Sequence, residues 1–274
     1  MSQEGTYALL PLYLVLDSSA SMNGEPFRAA LSFVPKLLEA MQENPTVADK
    51  VRLAVITFDA TARVAATLSD KSDLENWYLN NKDMQAEGSS TNYTNVFKLL
   101  KQEVERGVAT ITSEKINGEF YKTYRPAVFF ITDGDPVGDN ESTIAQAFNE
   151  LTDENFVDSK GRQLRPNIFV VGVGDATKEK LEKYGASRYK RSEYTIHNSE
   201  AVLVRTVRDG VDFTPASVLS SVVPKLVSSI ISSTNTGGSK GSSSDELEDP
   251  FENVEDLFGL EGDGIEFDYD DLVI

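Results

Sequence analysis

Three short segments of the chain carry oxygen-bearing side chains at spacings that could bind a metal ion. In the first, Asp17-Ser18-Ser19-Ala20-Ser21, a carboxylate and two hydroxyls recur at every second residue. Alternate side chains of an extended segment face the same way, so Asp17, Ser19 and Ser21 can converge on one point. Carboxylate and hydroxyl oxygens are hard donors, the type that Mg²⁺ and Mn²⁺ prefer. The spacing therefore predicts part of a divalent-cation site.

Two later segments offer the same kind of donor. Residues 87–94 precede a predicted helix and contain the hydroxyls of Thr91 and Thr94, of which we favour Thr91 as a ligand and Thr94 as a helix cap. Asp133 and Gly134 follow an apolar run and place a carboxylate at the end of a predicted strand. Each segment alone is more typical of a turn or a helix cap. The three together favour a metal site.

Hydrophobic patterning predicts the elements that would bring these segments together. Apolar runs predict strands over residues 10–16, 51–58, 62–68, 126–132, 168–173 and 189–196. Amphipathic patterns predict helices over residues 25–43, with a kink at Pro35, and over 71–81, 94–106, 141–151, 177–185 and 214–232. A polar stretch at 111–124 is expected to form a hairpin insertion.

This alternation predicts an α/β fold: a Rossmann-like open, mostly parallel sheet with one antiparallel edge strand, residues 62–68, and helices on both faces. Sheets of this type bind ligands at the carboxyl ends of their strands, where the strand order reverses. All three oxygen-rich segments are predicted at that edge.

The three motifs, in this order, resemble the von Willebrand factor A (VWA) domain and its metal-ion-dependent adhesion site, or MIDAS. The matching features are DxSxS after the first strand, Gly-x-x-Thr before a helix and Thr132-Asp133-Gly134 after a later strand. Segment 124–136 and the strand end at 171–175 are more narrowly similar to the intracellular bacterial branch typified by TerY of the tellurium-resistance systems.

The resemblance implies a role for each site residue. Ser19 and Ser21 would bind Mg²⁺ (or Mn²⁺) directly, and Thr91 would do so in the ligand-competent state. Asp17 and Asp133 would act mainly through bound water. Because neutral hydroxyls then occupy most direct positions, the cation stays electrophilic, and a carboxylate from a protein partner would complete its shell.

Composition excludes several other kinds of site. The chain has no cysteine, which removes disulfides, zinc ribbons, iron–sulfur clusters and thiol nucleophiles. Its one histidine, His197, makes His-based metal or catalytic clusters improbable and is expected at a surface or strand edge. The pair Gly172 and Gly174 lacks the third glycine of a dinucleotide loop and is expected to allow close packing.

Charge divides the chain into three parts. Residues 245–274 contain thirteen acids and no Lys or Arg, which leaves 31 acids against 26 bases in the rest of the chain. We therefore expect a VWA domain over residues 1–231, a Ser/Gly-rich linker over 232–244 and an acidic–hydrophobic tail over 245–274, disordered or docking on a partner. The overall charge of −18 argues against partners such as nucleic acid or an anionic membrane. The apolar run near the start is too short to span a bilayer and contains Pro11, so a cytoplasmic protein is expected.

Three functions are compatible with these features. The first is a non-enzymatic, Mg²⁺-dependent protein–protein interaction module in a bacterial complex. The TerY-like resemblance implies a protein kinase and a PP2C-type phosphatase as partners, in a stress response or antiviral (phage) defence. The second is a metal-dependent hydrolase, which the lack of a His or Lys base and of a second metal's acids disfavours. The third is an adaptor for an AAA+ ATPase.

The tail leaves further alternatives open. Its interleaved acids and apolar residues suit a segment that folds on a partner, but an acidic tail can also be a solvated solubiliser. A third hypothesis is that one tail carboxylate occupies the metal site in cis until a partner displaces it.

Overall fold

The computed structural model describes residues 7–116, 118–189, 193–204, 223–225 and 228. The predicted linker and tail lie outside these residues, as does most of the predicted helix at 214–232. Residues 223–225 and 228, within that last range, are helical.

The described secondary structure alternates between strands and helices along the chain. The strands are β1 (Ala8–Asp17), β2 (Val51–Phe58), β3 (Ala62–Ser69), β4 (Lys115–Ile116), β5 (Glu119–Phe120), β6 (Lys122–Thr123), β7 (Ala127–Thr132), β8 (Asn167–Gly172), β9 (Ala186–Tyr189), β10 (Glu193–Ile196) and β11 (Val202–Val204). The helices are α1 (Glu25–Leu31), α2 (Phe33–Glu43), α3 (Pro45–Lys50), α4 (Lys71–Asn81), α5 (Tyr93–Ser113), α6 (Glu141–Thr152) and α7 (Lys178–Leu181).

The main sheet has the order β10-β9-β8-β7-β1-β2-β3, with β6 beside β1 and β11 beside β8. β1 pairs parallel with β2 and β7, and β7 pairs parallel with β8. β3 is antiparallel to β2. The predicted α/β class, the mostly parallel sheet and the antiparallel edge strand are therefore confirmed. The opposite edge also contains antiparallel pairs, β8 with β9 and β9 with β10, which the sequence did not predict.

The sheet is covered on both faces, and β1 shows this most directly because all of its residues are buried. Leu12, Leu14 and Leu16 belong to a core cluster shared with α1–α4. Tyr13 and Val15 point to the other face and belong to a second cluster, shared with α5–α7. This two-sided packing fixes the position of β1, at whose carboxyl end the first predicted motif begins.

The predicted helix over 25–43 is interrupted instead of kinked. α1 ends at Leu31 and α2 begins at Phe33, and the intervening Ser32 donates a hydrogen bond from Oγ to the carbonyl of Ala29 at 2.6 Å. Pro35 accounts for the break, because proline has no N–H for the Leu31 carbonyl and its ring clashes with that carbonyl.

Two other predicted boundaries are corrected. Residues 189–196 do not form one strand: β9 and β10 pair as an antiparallel hairpin, with Tyr194 opposite Arg188. The predicted helix over 94–106 extends to Ser113, because Val108 and Ile111 continue its buried stripe. The expected hairpin insertion therefore starts later, with the β4–β5 pair. Among the described residues, no helix is both long and apolar enough to cross a membrane.

Candidate metal site

The strand order places two predicted ligands at the point where the sheet topology reverses. From β1 the chain continues to β2 and β3 on one side, whereas β7 and β8 lie on the other, so the reversal falls between β1 and β7. Leu16 pairs with Ile131, which brings the carboxyl ends of these strands level. Asp17 is the last residue of β1, and Asp133 directly follows β7. Ligands of open α/β sheets bind in the crevice at such an edge.

Asp17 is held by hydrogen bonds on both carboxylate oxygens. The backbone N–H of Ser19 donates to Oδ1 at 2.9 Å, and the hydroxyl of Thr132 donates to Oδ2 at 2.7 Å. The side chain is fully buried. Asp17 is thus fixed in orientation from its own loop and from the neighbouring strand.

Ser19, Ser21 and Asp133 form a connected chain of oxygens. The hydroxyls of Ser19 and Ser21 are 3.1 Å apart, and the Ser21 hydroxyl donates to Oδ1 of Asp133 at 3.2 Å. Ser19 is buried, Asp133 is half-buried and Ser21 is exposed, so the cluster is accessible from the surface at Ser21. The structure therefore brings these three side chains together from two different loops.

Gly88 joins the segment that contains Thr91 to the loop after β1. Its N–H donates to the carbonyl of Ser18 at 3.0 Å, and its carbonyl accepts from the N–H of Ala20 at 2.8 Å. A Cβ on Gly88 would lie 2.2 Å from Cβ of Asp59, so only glycine allows this approach. The backbone of Thr91 in turn pairs with that of Val137, in the loop after β7. Backbone hydrogen bonds thus connect all three predicted loops.

Thr91 and Thr94 differ in what their hydroxyls contact. Thr94 donates from Oγ1 to Oδ1 of Asp139 at 2.8 Å, and its N–H donates to Oδ2 of the same carboxylate at 2.7 Å. The predicted capping role belongs to Asn92 instead, whose side chain accepts from the N–H of Asn95. Thr91 is a buried residue, and its hydroxyl makes no hydrogen bond to another described residue. This contrast favours Thr91 over Thr94 as a donor available to a cation.

Two residues support the proposed ligands: Tyr93, which sequence reasoning missed, and Thr132, which it named only as part of the Thr132-Asp133-Gly134 motif. The hydroxyl of Tyr93 lies 3.0 Å from Oγ1 of Thr132 and donates to the carbonyl of Gly134 at 2.6 Å. Burial raises the pKa of Tyr93 well above its ordinary value, so the phenol remains a donor. Thr132 links this phenol to Asp17. A polar residue ending the otherwise apolar run of β7 is the one signal that the sequence offered.

Asp17 lies in an environment that disfavours its charge when no cation is present. Burial raises the pKa of Asp17 above its ordinary value, hydrogen bonds from Ser19 and Thr132 lower it, and the charge of Asp133 raises it. The net direction is upward. A cation beside these carboxylates would favour the ionised form and oppose that shift.

The donor set fits a hard divalent cation. Neighbouring oxygens in an octahedral Mg²⁺ shell, with bonds near 2.1 Å, lie about 3 Å apart. The hydroxyls of Ser19 and Ser21, the two side chains expected to bind directly, are 3.1 Å apart and match that spacing. In the part of the chain that the structure describes, no group of three or more His, Cys, Asp or Glu side chains could hold a metal. A site here must therefore rely on hydroxyls as well as carboxylates, as the sequence motifs predict.

Two other candidate features have structural explanations. A Cβ on Gly172 would lie 2.7–2.9 Å from side-chain atoms of Val204, Ala176 and Leu181, so this glycine permits close packing, as expected. His197 follows the edge strand β10, stacks on Phe148 at a centroid distance of 5.8 Å and has Nδ1 2.6 Å from the carbonyl of Lys183.

Comparisons with known proteins identify the fold. Residues 12–208 match the von Willebrand factor type A domain family. Curated proteins give no match. One similar solved structure is proximal thread matrix protein 1 from the mussel byssus, with 17% identity and a TM-score of 0.53 over 82% of this chain and 49% of that chain. Another is the same mussel protein with a zinc-occupied MIDAS motif, with 16% identity and a TM-score of 0.52 over 82% and 48%.

A third similar structure is a von Willebrand factor type A protein from Catenulispora acidiphila, with 14% identity and a TM-score of 0.51 over 82% of this chain and 43% of that chain. The chain spans less than half the length of each of these structures. At such low identity the likeness shows the fold alone, whereas the family match covers more than half of the chain. The chain therefore belongs to the von Willebrand factor type A domain family.

Proposed function

We propose that this protein is a non-enzymatic, metal-dependent module that binds a protein partner through a carboxylate of that partner. The observation that carries the proposal is the hydrogen-bonded convergence of Ser19, Ser21 and Asp133 at the topological switch point. Ser19, Ser21 and Thr91 would hold the cation through hydroxyls, and Asp17 and Asp133 would act through water.

The site's own residues account for how such a cation could recognise an acid. A cation bound there supplies a positive charge that an incoming carboxylate can neutralise. Asp17 keeps its orientation through Ser19 and Thr132, and both of its oxygens already accept hydrogen bonds. Ser21 is exposed, so the outer side of the site is open to a partner.

We propose Mg²⁺ as the cation, with Mn²⁺ as the alternative, because the donors are all oxygens. The zinc-occupied MIDAS of the mussel structure supports a divalent ion in this fold. Titration with Mg²⁺, Mn²⁺ and Zn²⁺ separately would decide which of them this chain prefers.

The absence of enzymatic activity is part of the proposal. None of the hydrogen bonds of the described cluster involves a His or Lys side chain that could act as a general base. The Nδ1 atom of His197 is already paired with a backbone carbonyl. Turnover of phosphoester substrates that is lost in Ser19→Ala would contradict this part of the proposal.

The biological setting is proposed from the motifs alone. We propose a cytoplasmic, TerY-like role in a bacterial stress or phage-defence complex with a protein kinase and a PP2C-type phosphatase. Segment 124–136 carries this resemblance. Genes for a kinase and a phosphatase beside this one would support it, and a gene for an AAA+ ATPase would favour the adaptor role instead.

Thermal unfolding with and without Mg²⁺ tests whether the site binds metal. A ligand at one hundred times its Kd stabilises the folded state by about 2.7 kcal/mol, and for a domain of this size each kcal/mol raises Tm by roughly 2–4 °C. We expect this shift in the unmodified chain and its loss in Ser21→Ala and Asp133→Ala. Ser113→Ala, an exposed serine at the end of α5, is the matched control. An equal shift in all four proteins would contradict the proposed site.

Affinity capture tests whether a bound metal serves recognition. The full chain and Asp133→Ala are used as bait in lysate of the source cells, with Mg²⁺ or with chelator. A protein retained only by the unmodified chain, and only with Mg²⁺, is the expected result. If retention is the same with chelator, recognition does not depend on the metal.

A further inference from the structure

An exposed apolar side chain stands beside the predicted metal ligand Thr91. Val137 is 58% exposed, although it is a large apolar residue. Its N–H donates to the carbonyl of Thr91 at 3.0 Å, and its carbonyl accepts from the N–H of Thr91 at 3.3 Å. Residues paired in this way across an antiparallel bridge project to the same side, with Cβ atoms about 5 Å apart. A ligand at the metal site would therefore have an apolar surface next to it.

The loop that carries Val137 also carries Asp133, Asp135 and Asp139, so this rim of the metal site is acidic when no cation is present. Asp133 accepts from Ser21, and Asp139 is hydrogen-bonded to Thr94. The ammonium group of Lys180 lies nearby, but it is already paired with Asp135 at 2.7 Å. An acidic peptide would be repelled by this rim unless a divalent ion offset the charge. Docking of such a peptide should therefore depend on metal.

The tail of this chain has the two chemical features that the rim calls for. Its thirteen acids include several with an apolar neighbour, as in Phe251-Glu252, Val254-Glu255 and Ile265-Glu266-Phe267. No Lys or Arg occurs among residues 245–274. One segment can thus present a carboxylate to a cation and an adjacent apolar side chain to Val137.

We infer that residues 245–274 dock in cis on the metal site, where one carboxylate completes the cation's shell and an adjacent apolar side chain packs on Val137. The inference rests on the proposed metal site. Tethering to the domain gives the tail an effective concentration at the site of up to about the millimolar range. A ligand that binds only weakly as a free peptide can therefore occupy the site, and a protein partner must displace it.

Protease protection in the full chain tests this inference. A glutamate-specific protease is added with Mg²⁺ or with chelator, and mass spectrometry follows the release of peptides from residues 245–274. We expect release to be roughly fivefold slower with Mg²⁺, as for a tail docked about four-fifths of the time. The synthetic peptide 245–274, digested under both conditions, corrects for effects of the metal on the protease and on the acidic peptide itself.

Three variants separate the parts of the inference. Asp133→Ala should lose both Mg²⁺ binding, measured by calorimetry, and tail protection. Val137→Ser should keep Mg²⁺ binding and lose most of the protection. Val157→Ser changes another exposed valine, in the loop before β8, and should behave like the unmodified chain.

Each contrary result has a distinct meaning. If calorimetry shows Mg²⁺ binding but the tail is released equally fast with and without Mg²⁺, the inference is wrong and the proposed function stands. If no Mg²⁺ binds, both are wrong. If protection increases with protein concentration, the tail occupies the site of a second copy, which overturns docking in cis.

Discussion

The hydroxyl of Ser21 donates a hydrogen bond of 3.2 Å to Oδ1 of Asp133, although 112 residues separate them in the chain. Both residues lie in loops that follow neighbouring parallel strands, β1 and β7. The contact therefore depends on the sheet order and on the register between these strands, and not on either loop alone.

Thr91→Val and Thr94→Val should have different effects. Thr91→Val removes a proposed ligand, so it should weaken Mn²⁺ binding. It should affect folding little, because the Thr91 hydroxyl makes no hydrogen bond to another described residue. Thr94→Val removes the donor to Asp139, which should lower the free energy of unfolding by about 1–3 kcal/mol and leave Mn²⁺ affinity unchanged. Calorimetric titration and urea unfolding measure the two quantities. The reverse pattern would assign the ligand role to Thr94.

Gly88→Ala should damage the metal site without altering any proposed ligand. The new Cβ would lie 2.2 Å from Cβ of Asp59 and 3.0 Å from the carbonyl oxygen of Ser18, so the loop must move away. We expect Mg²⁺ affinity to fall by roughly tenfold, equivalent to about 1.4 kcal/mol. Gly134→Ala is the control, since a Cβ there meets nothing within 4 Å. Equal affinities for both variants would show that the Gly88 contact does not position the ligands.

Gly107→Ala should destabilise the fold, although alanine normally favours a helix by about 1 kcal/mol over glycine. Gly107 lies within α5, where a Cβ would be 2.3 Å from Cδ1 of Leu68 and 2.4 Å from the hydroxyl of Tyr13. Overpacking of this kind costs about 1–3 kcal/mol. We expect a net loss in the free energy of unfolding, measured in urea. Gln102→Ala, at an exposed position of α5, should change it by less than about 0.5 kcal/mol; a gain in stability in Gly107→Ala would refute the clash.

Asp17→Asn should stabilise the protein in chelator at pH 7. The pKa of Asp17 is raised in the folded state, with burial as the largest cause, so the ionised carboxylate opposes folding at neutral pH. This penalty decreases as the pH falls through the raised pKa and disappears below the unfolded value of 3.8. The advantage of the variant should shrink accordingly, as urea unfolding at several pH values would show.

With saturating Mg²⁺ the unmodified chain should instead be more stable than Asp17→Asn, because only the unmodified chain keeps the carboxylate that favours a bound cation. Asp175→Asn, which changes an exposed acid, is the matched control. If Asp17→Asn is less stable than the unmodified chain in chelator at pH 7, the hydrogen bonds to Ser19 and Thr132 outweigh the cost of burial.

The strands and the loops that follow them could be predicted from sequence because the signals were local. The continuous apolar runs of β1 and β7 indicate burial on both faces, and Asp17 and Asp133 stand at or just after their ends. The strand predicted over 189–196 contains β10 but overlaps β9 only at Tyr189, because Ala186–Tyr189 is too short and too mixed in polarity to give a strand signal of its own. A long-range hydrogen bond such as that from Tyr93 to the Gly134 carbonyl is also beyond local patterning, because it depends on how α5 packs beside β7.

Gly88 is hydrogen-bonded to the backbone on both sides of Ser19, and Thr91 is hydrogen-bonded in both directions to Val137. No single loop therefore contains the information for the arrangement of donors. Grafting the DxSxS segment alone onto another parallel sheet would transfer the side chains without the backbone that spaces them. An engineer who wished to move this site would have to transplant three loops together, with the register of the strands that carry them.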